Sequence, residues 1–241
     1  MRADQLIVLQ GLAPTRSAAQ RLIEHGAVQC AGRVLKKAGE DLAEHQQLVV
    51  TDDAELRYVS RGGLKLEGAL KHCGIAVQGV QALDIGQSTG GFTDVLLKAG
   101  ALHVTGIDVG HSQLHAALRE DARVTALENT HVRQYQPSQP GGTFELIVGD
   151  LSFISMLGEL PRIAGWLAPG GQLLLLIKPQ FELGKKALNK GGLVKDPKQY
   201  AELEARAREA IAPLKLTLRD YFESPITGGD GNTEFFLWAH S

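Results

Sequence analysis

Along the first fifty residues the apolar positions recur at helical spacing and then switch to alternation. Leu6, Ile7 and Leu9 lie within Asp4 to Gln10 ahead of Gly11, which predicts a short helix. Pro14-Thr15 opens a second helix, with Ala18, Ala19, Leu22 and Ile23 on one face and Gly26 closing it. Val28-Gln29-Cys30 and Arg33-Val34-Leu35 flank Ala31-Gly32, the pattern of a tight hairpin, and Gln47 to Val50 supplies a further strand. Residues 51–59 are polar and acidic. They divide the chain into an α+β head over 1–55, a linker over 56–60 and a body over 61–241.

From residue 80 strand-like and helix-like runs alternate. Strands are predicted at Ala82 to Asp84, Leu102 to Asp108, Val124 to Glu128, Phe144 to Asp150 and Gln172 to Lys178. Helices are predicted at Phe92 to Ala99, Leu114 to Arg119, residues 154–167 ahead of Pro169-Gly170, and Lys198 to Ala212. Leu214 to Glu223 and Thr233 to Ala239 close the chain as an antiparallel hairpin. This alternation implies an α/β fold, a doubly wound Rossmann-like parallel sheet with helices on both faces and the hairpin at its edge. Ligands of such sheets bind beyond the carboxyl ends of the strands, so the residues there carry the function.

Composition narrows the class. The chain has 241 residues, 44% apolar and 22% charged, which suits one full domain of about 150 residues plus a small one. Cys30 and Cys73 stand 43 positions apart, which excludes a disulfide scaffold or a cysteine-rich zinc module and suits a reducing compartment. Arg2, Asp4 and Gln5 interrupt the apolar start, so no secretory core is present there. The longest strongly apolar run is Leu173 to Ile177, against about 20 residues for a spanning helix. A soluble cytoplasmic protein with no membrane contact is expected. Net charge is 25 minus 27, or −2, so any nucleic-acid contact must rest on local charge. Residues 1–39 supply it: Arg2, Arg16, Arg21, Arg33, Lys36 and Lys37 against Asp4 and Glu24, a local +4. On composition alone a solvated helix face is slightly the better account of these cations.

The strand ends carry the candidate chemistry. Asp84-Ile-Gly-Gln-Ser-Thr-Gly-Gly91 follows the first strand of the body, and glycines there let backbone approach a ligand closely. Asp108 ends the second strand, 24 positions on, where an acid accepts from ribose hydroxyls. A nucleoside triphosphate is disfavoured, because Gly91 is followed by Phe92-Thr93 and not by Lys-Ser/Thr. A dinucleotide stays open, although Ser88 replaces the middle glycine of its fingerprint. S-adenosylmethionine has no phosphate and tolerates Ser88. Its candidate binding residues are Asp84, Gly86, Ser88, Gly90, Gly91, Phe92, Asp108 and Val109. Asp150 and Lys178 end the next two apolar strands, Glu234 starts the last one, and Lys65 precedes the sheet. Any one of them alone reads as a charge snorkelling to solvent. Two of each sign on one rim read as a site.

The order of these motifs carries a resemblance. Asp4-Gln5-Leu6, Gly11-Leu-Ala-Pro-Thr-Arg-Ser17, Gln20-Arg-Leu-Ile23, Gly26-Ala-Val28 and Gly32-Arg33 resemble the RNA-binding domain of ribosomal small-subunit protein four. Ser60-Arg-Gly-Gly-Leu-Lys-Leu66, the Asp84–Gly91 loop, Asp150-Leu-Ser-Phe-Ile-Ser155, Lys178-Pro-Gln-Phe-Glu182 and Gly231-Asn-Thr-Glu-Phe-Phe236 resemble the TlyA family. That family joins the same head to an FtsJ-like methyltransferase body. The resemblance implies S-adenosylmethionine-dependent methylation of cytidine 2′-hydroxyls in ribosomal RNA or ribosomal subunits. It places the family's Lys-Asp-Lys-Glu site on Lys65, Asp150, Lys178 and Glu234. Gln87 departs from it, standing where many relatives have a small residue. The family's hemolysin label finds no spanning or amphipathic toxin segment here.

The chemistry suits these residues. A 2′-hydroxyl is a weak nucleophile and needs proton removal. Lys178 is the nominated base, with Lys65 beside it lowering its proton affinity and Asp150 and Glu234 orienting both lysines. Lys185, Lys186, Lys190, Lys195 and Lys198 against Asp196 make residues 184–198 a basic loop, either a phosphate clamp or a solvated loop. The RNA-binding candidates are thus Arg16, Arg21, Arg33, Lys36, Lys37, Lys185, Lys186 and Lys190. His111 and His115 at helical i, i+4 spacing lack a third ligand, so no metal is expected. A nicotinamide-dependent oxidoreductase and a non-catalytic RNA-binding factor stand as the competing readings.

Overall fold

A computed structural model describes residues 1–137 and 143–241, which form two compact units, Met1–Arg61 and Gly62–Ser241. In the first unit α1 (Ala3–Leu9) and α2 (Arg16–Glu24) lie with a three-stranded antiparallel sheet of β1 (Val28–Cys30), β2 (Arg33–Val34) and β3 (Leu48–Val50), in the order β2-β1-β3. The Thr15 hydroxyl accepts from the Ala18 N–H at 3.2 Å and caps α2. Leu6, Ile7, Leu22, Ile23, Val28, Leu35 and Leu48 are buried together as its core.

The second unit contains α3 (Gly62–Cys73), β4 (Gln81–Ile85), α4 (Gly91–Lys98), β5 (His103–Ile107), α5 (Ala116–Arg119), β6 (Val124–Leu127) and β7 (Phe144–Gly149). It continues with α6 (Met156–Ala164), β8 (Leu167–Ile177), α7 (Pro179–Glu182), α8 (Lys198–Ile211), β9 (Thr217–Glu223) and β10 (Phe235–His240). Among the described residues these strands make one seven-stranded sheet, ordered β6-β5-β4-β7-β8-β10-β9. β4 to β8 run parallel, while β10 is antiparallel to both β8 and β9. This is the doubly wound sheet with an antiparallel hairpin that the alternation implies. Leu83, Ile85, Ile147, Leu173, Leu175 and Leu237 bury against α6 and α8 on one face. On the other face Phe92 of α4 stacks over Phe236, and Phe236 over Phe222. No helix among the described residues is long and apolar enough to cross a membrane.

The structure differs from the sequence reading in several places, the unpredicted short α7 among them. α3 has no counterpart in it, because a Gly62-Gly63 start and sparse apolar positions (Leu66, Ala69, Leu70) give weak periodicity. The helix read as 154–167 stops at Ala164, and β8 begins at Leu167, running through Pro169-Gly170. That stretch of β8 lies before Gln172, where pairing with β10 begins, so the proline costs no ladder bond on that side. Finally, His111 and His115 do not share a helix. His115 is the N-cap of the short α5, its Nδ1 accepting from the Ala117 N–H.

Candidate active site

The ends of β4, β5 and β7, with residues 130–132 beyond β6, open on one cavity of about 510 Å³. Two glycines shape the turn that follows β4. Gly86 has φ +83°, and a Cβ there would lie 2.6 Å from the Asp150 carbonyl oxygen. Gly90 has φ +97° and N-caps α4, and a Cβ there would lie 2.4 Å from Leu118. A side chain is disfavoured at both: Gly86 thereby leaves its backbone facing the cavity, while Gly90 lets α4 start close against Leu118. Ser88 also adopts a left-handed φ of +48°. Its N–H donates to Asp108 Oδ2 at 2.8 Å, and the Gly110 N–H donates to Oδ1 at 2.7 Å. Asp108 is thereby fixed as an acceptor on the cavity wall, with Val109 exposed beside it.

Beneath the loop lies a buried chain of hydrogen bonds. Gln87 Nε2 donates to Thr93 Oγ1 at 2.9 Å, and Thr93 Oγ1 donates to Asp84 Oδ2 at 2.7 Å. The other oxygen, Asp84 Oδ1, is buried with no hydrogen-bond partner. Burial pushes the Asp84 carboxyl up to about 7, against the Thr93 hydrogen bond and with Asp150 adding to the rise. Gln87, the departure from the family pattern, turns inward and does not line the cavity. It occupies space that Gly106 leaves free, since a Cβ on Gly106 would come within 2.1 Å of the Gln87 amide.

Four charged side chains form two ion pairs. Lys178 Nζ lies 2.5 Å from Asp150 Oδ1 and donates to Ser152 Oγ at 2.8 Å. That approach to Oδ1 is an ion pair without hydrogen-bond alignment. Lys65 Nζ donates to Glu234 Oε2 at 2.6 Å, both side chains buried. The register explains the gathering. Phe235 pairs with Ile177 across β10 and β8, so Glu234 and Lys178 are the next opposed positions. Ile85 pairs with Gly149, so Asp150 stands beside Gly86. α3 supplies Lys65. Burial raises the Glu234 carboxyl, opposed by the Lys65 charge and hydrogen bond.

The sequence reading quoted Ser152 only within the Asp150–Ser155 motif and Thr93 only after the glycine loop, gave neither a role, and did not reach residues 130–132. Nor did it give a role to Phe153 of the same motif, which lines the cavity with φ +69° and is 86% exposed. A bulky residue at positive φ is a local strain of the kind that gathers at functional sites.

Of the RNA candidates, Arg16 and Arg33 have carboxylate partners. Asp4, fully buried, accepts from Arg2, Gln20 and Arg16, the last at 3.0 Å. The Arg2 hydrogen bond, foremost, holds the Asp4 carboxyl well below the usual carboxylate range. Arg33 pairs with Glu40, just outside the window that gave +4. Arg33, Lys36 and Lys37 line one open groove of the first unit, and Arg21 is half-buried on α2. Lys185, Lys186 and Lys190 are exposed, the first two on a 3-10 turn over Lys185–Ala187. Among the described residues no group of three or more His, Cys, Asp or Glu is arranged to hold a metal ion.

The sheet, the glycine turn and the strand-end acids define a Rossmann-like methyltransferase body. Residues 58–241 match the FtsJ-like methyltransferase family, and residues 1–48 match the S4 domain. The chain is 43% identical to the 16S/23S rRNA (cytidine-2′-O)-methyltransferase TlyA of Mycobacterium tuberculosis, over all of this chain and 90% of that one. It is 36% identical to the 23S rRNA (cytidine-2′-O)-methyltransferase TlyA of Campylobacter jejuni, over 99% of this chain and 98% of that one. A solved structure from Streptococcus thermophilus, labelled a hemolysin, is 38% identical with a TM-score of 0.77, covering this whole chain and 88% of that one. The chain belongs to the TlyA family of FtsJ-like methyltransferases. Membership decides for the methyltransferase over the oxidoreductase and the non-catalytic factor.

Proposed function

We propose that the protein transfers a methyl group from S-adenosylmethionine to the 2′-hydroxyl of a cytidine in ribosomal RNA. The observation that carries this reading is the pairing of Lys178 with Asp150 and Ser152 at the rim of the cavity that holds Asp108 and Gly86. The residues fit the cofactor. Asp108 is fixed to accept from ribose hydroxyls, the Gly86 backbone has no side chain to fend off a ligand, and Asp84 Oδ1 is an unpaired acceptor beneath. S-adenosylmethionine supplies a methyl group already activated by its sulfonium. The protein's residues then need only place the 2′-oxygen in line and remove its proton.

Lys178, in its neutral form, takes that proton, and Asp150 and Ser152 hold its Nζ in place. Lys65 and Glu234 form a buried ion pair near enough for the Asp150 and Lys178 charges to act on Glu234. Base methylation at a ring carbon asks for a cysteine nucleophile, yet Cys30 is buried in the head. Burial also pushes the Cys73 thiol up to about 12. Methylation of an exocyclic amine asks for an Asn- or Asp-Pro-Pro-aromatic run, whereas Asp150 is followed by Leu-Ser-Phe. The head, with its S4 match, docks RNA through phosphates and shape.

Alkaline cleavage of RNA uses the 2′-hydroxyl as its internal nucleophile, so the test is direct. Ribosomal RNA treated with the protein and S-adenosylmethionine gains an alkali-resistant linkage after a cytidine. A methylated product that alkali still cuts there overturns the ribose assignment.

A further inference from the structure

Asn232 lies two residues before Glu234 and is 2% exposed, yet its side chain joins separate segments. Its Nδ2 donates to the Gly192 carbonyl at 3.1 Å and to Asp230 Oδ2 at 2.9 Å. Its Oδ1 accepts from the Val194 N–H at 3.2 Å. Asp230 Oδ2 in turn accepts from Gln180 Nε2 at 3.0 Å, two residues beyond Lys178. Gly192 and Val194 belong to a small hairpin that is braced internally. Leu188 bridges Val194, Asn189 Oδ1 accepts from the Gly191 and Leu193 N–H groups, and Lys195 Nζ donates to the Lys186 carbonyl. The exposed Lys185, Lys186 and Lys190 sit on this hairpin and its approach.

We propose that Asn232 is a positioning residue that docks this lysine hairpin against the segments bearing Lys178 and Glu234. The inference rests on the function proposed above. An untied hairpin still attracts phosphate by charge, but its ordering cost falls due when RNA binds. A docked hairpin has met that cost during folding, and phosphates held on its lysines then stand at a set position relative to the Lys178 rim. A buried asparagine that bonds two backbone groups of one hairpin is suited to this, because each bond breaks if the hairpin lifts away.

The test uses the full-length protein with Asn232→Ala and with Asn232→Asp, which keeps the acceptor for Val194 but loses both donated bonds, to Gly192 and to Asp230. The expected result is a rise of roughly 5–30-fold in KM for ribosomal RNA, the size of one or two broken hydrogen bonds, with kcat changed less. The dissociation constant for S-adenosylmethionine stays constant. Placed on a background with Lys185, Lys186 and Lys190 all changed to Ala, the Asn232 substitutions cost almost nothing further, because their effect runs through those lysines. Amide exchange at residues 189–195 quickens while β8 and β10 keep their protection. A loss confined to kcat, an additive effect on the background with Lys185, Lys186 and Lys190 changed to Ala, or unchanged exchange at 189–195 overturns the proposal. If the wild-type protein methylates no ribosomal RNA, the functional reading fails, and the exchange experiment still decides whether Asn232 tethers the hairpin.

Discussion

Lys65 and Glu234 stand 169 positions apart in the chain and meet at 2.6 Å, their side chains only 9% and 3% exposed. One comes from a helix ahead of the sheet and the other from the turn into its last strand. The pair fixes α3 against the hairpin and puts a lysine and a carboxylate near the Lys178–Asp150 pair.

Breaking this pair should destabilise the fold more than removing it. Lys65→Met leaves a buried carboxylate uncompensated and should cost about 3–5 kcal/mol, whereas Lys65→Met with Glu234→Leu should recover most of that loss. Because burial already raises Glu234, the single variant should regain stability as pH falls and the carboxyl takes up a proton. Denaturant unfolding of both variants at pH 5 and pH 8 checks this. A double variant no more stable than the single at pH 8 refutes it.

Lys178→Ala should lower methyl transfer by roughly 10²–10⁴-fold, the usual cost of losing a general base, with cofactor affinity nearly unchanged. Asp108 and the glycine turn, which line the cavity, stay in place in that variant. Tritium transfer to ribosomal RNA and calorimetry with S-adenosylmethionine separate the two quantities. Full activity in the variant removes Lys178 from the chemistry.

The buried Asp84 should subtract from stability as pH rises from about 4 to about 7. The unfolded Asp84 carboxyl releases its proton near its ordinary value of 3.8, whereas the folded one holds it up to about 7. Between those values the folded state carries a proton that the unfolded state has released, so each rise in pH favours unfolding, by at most about 4 kcal/mol in total. Asp84→Asn should flatten this slope. Unfolding free energies measured from pH 4 to 8 test it, and parallel curves for the two proteins count against the buried acid.

Protein lacking residues 1–61 should keep its methyltransferase body folded and bind RNA more weakly. Each unit has its own buried core, drawn from Ala3 to Leu48 in the first and from Leu83 to Ala239 in the second, so the deletion removes no member of the body's core. The slope of log affinity against log salt should shrink by roughly 0.7–0.9 for each phosphate that the head neutralises in the full protein. Equal slopes for the full and shortened proteins show that the head is not the anchor.

The sheet, the glycine turn and the charged strand ends were all legible in the order of residues along the chain. Buried parallel strands read as apolar runs, and a run that stops at Asp84, Asp108, Asp150 or Lys178 announces a carboxyl end through local pattern alone. What depends on partners remote in the chain came only with folding. The antiparallel register of β8 and β10 sets Glu234 opposite Lys178, and α3, nearly silent in periodicity, brings Lys65 to Glu234. Gln87 stood out as a departure, but only the space left by Gly106 turns it inward. Likewise Arg16 and Arg33 read as free cations until the fold laid Asp4 and Glu40 against them. Charge and periodicity are properties of neighbours along the chain, whereas hydrogen bonding and burial are properties of neighbours in space.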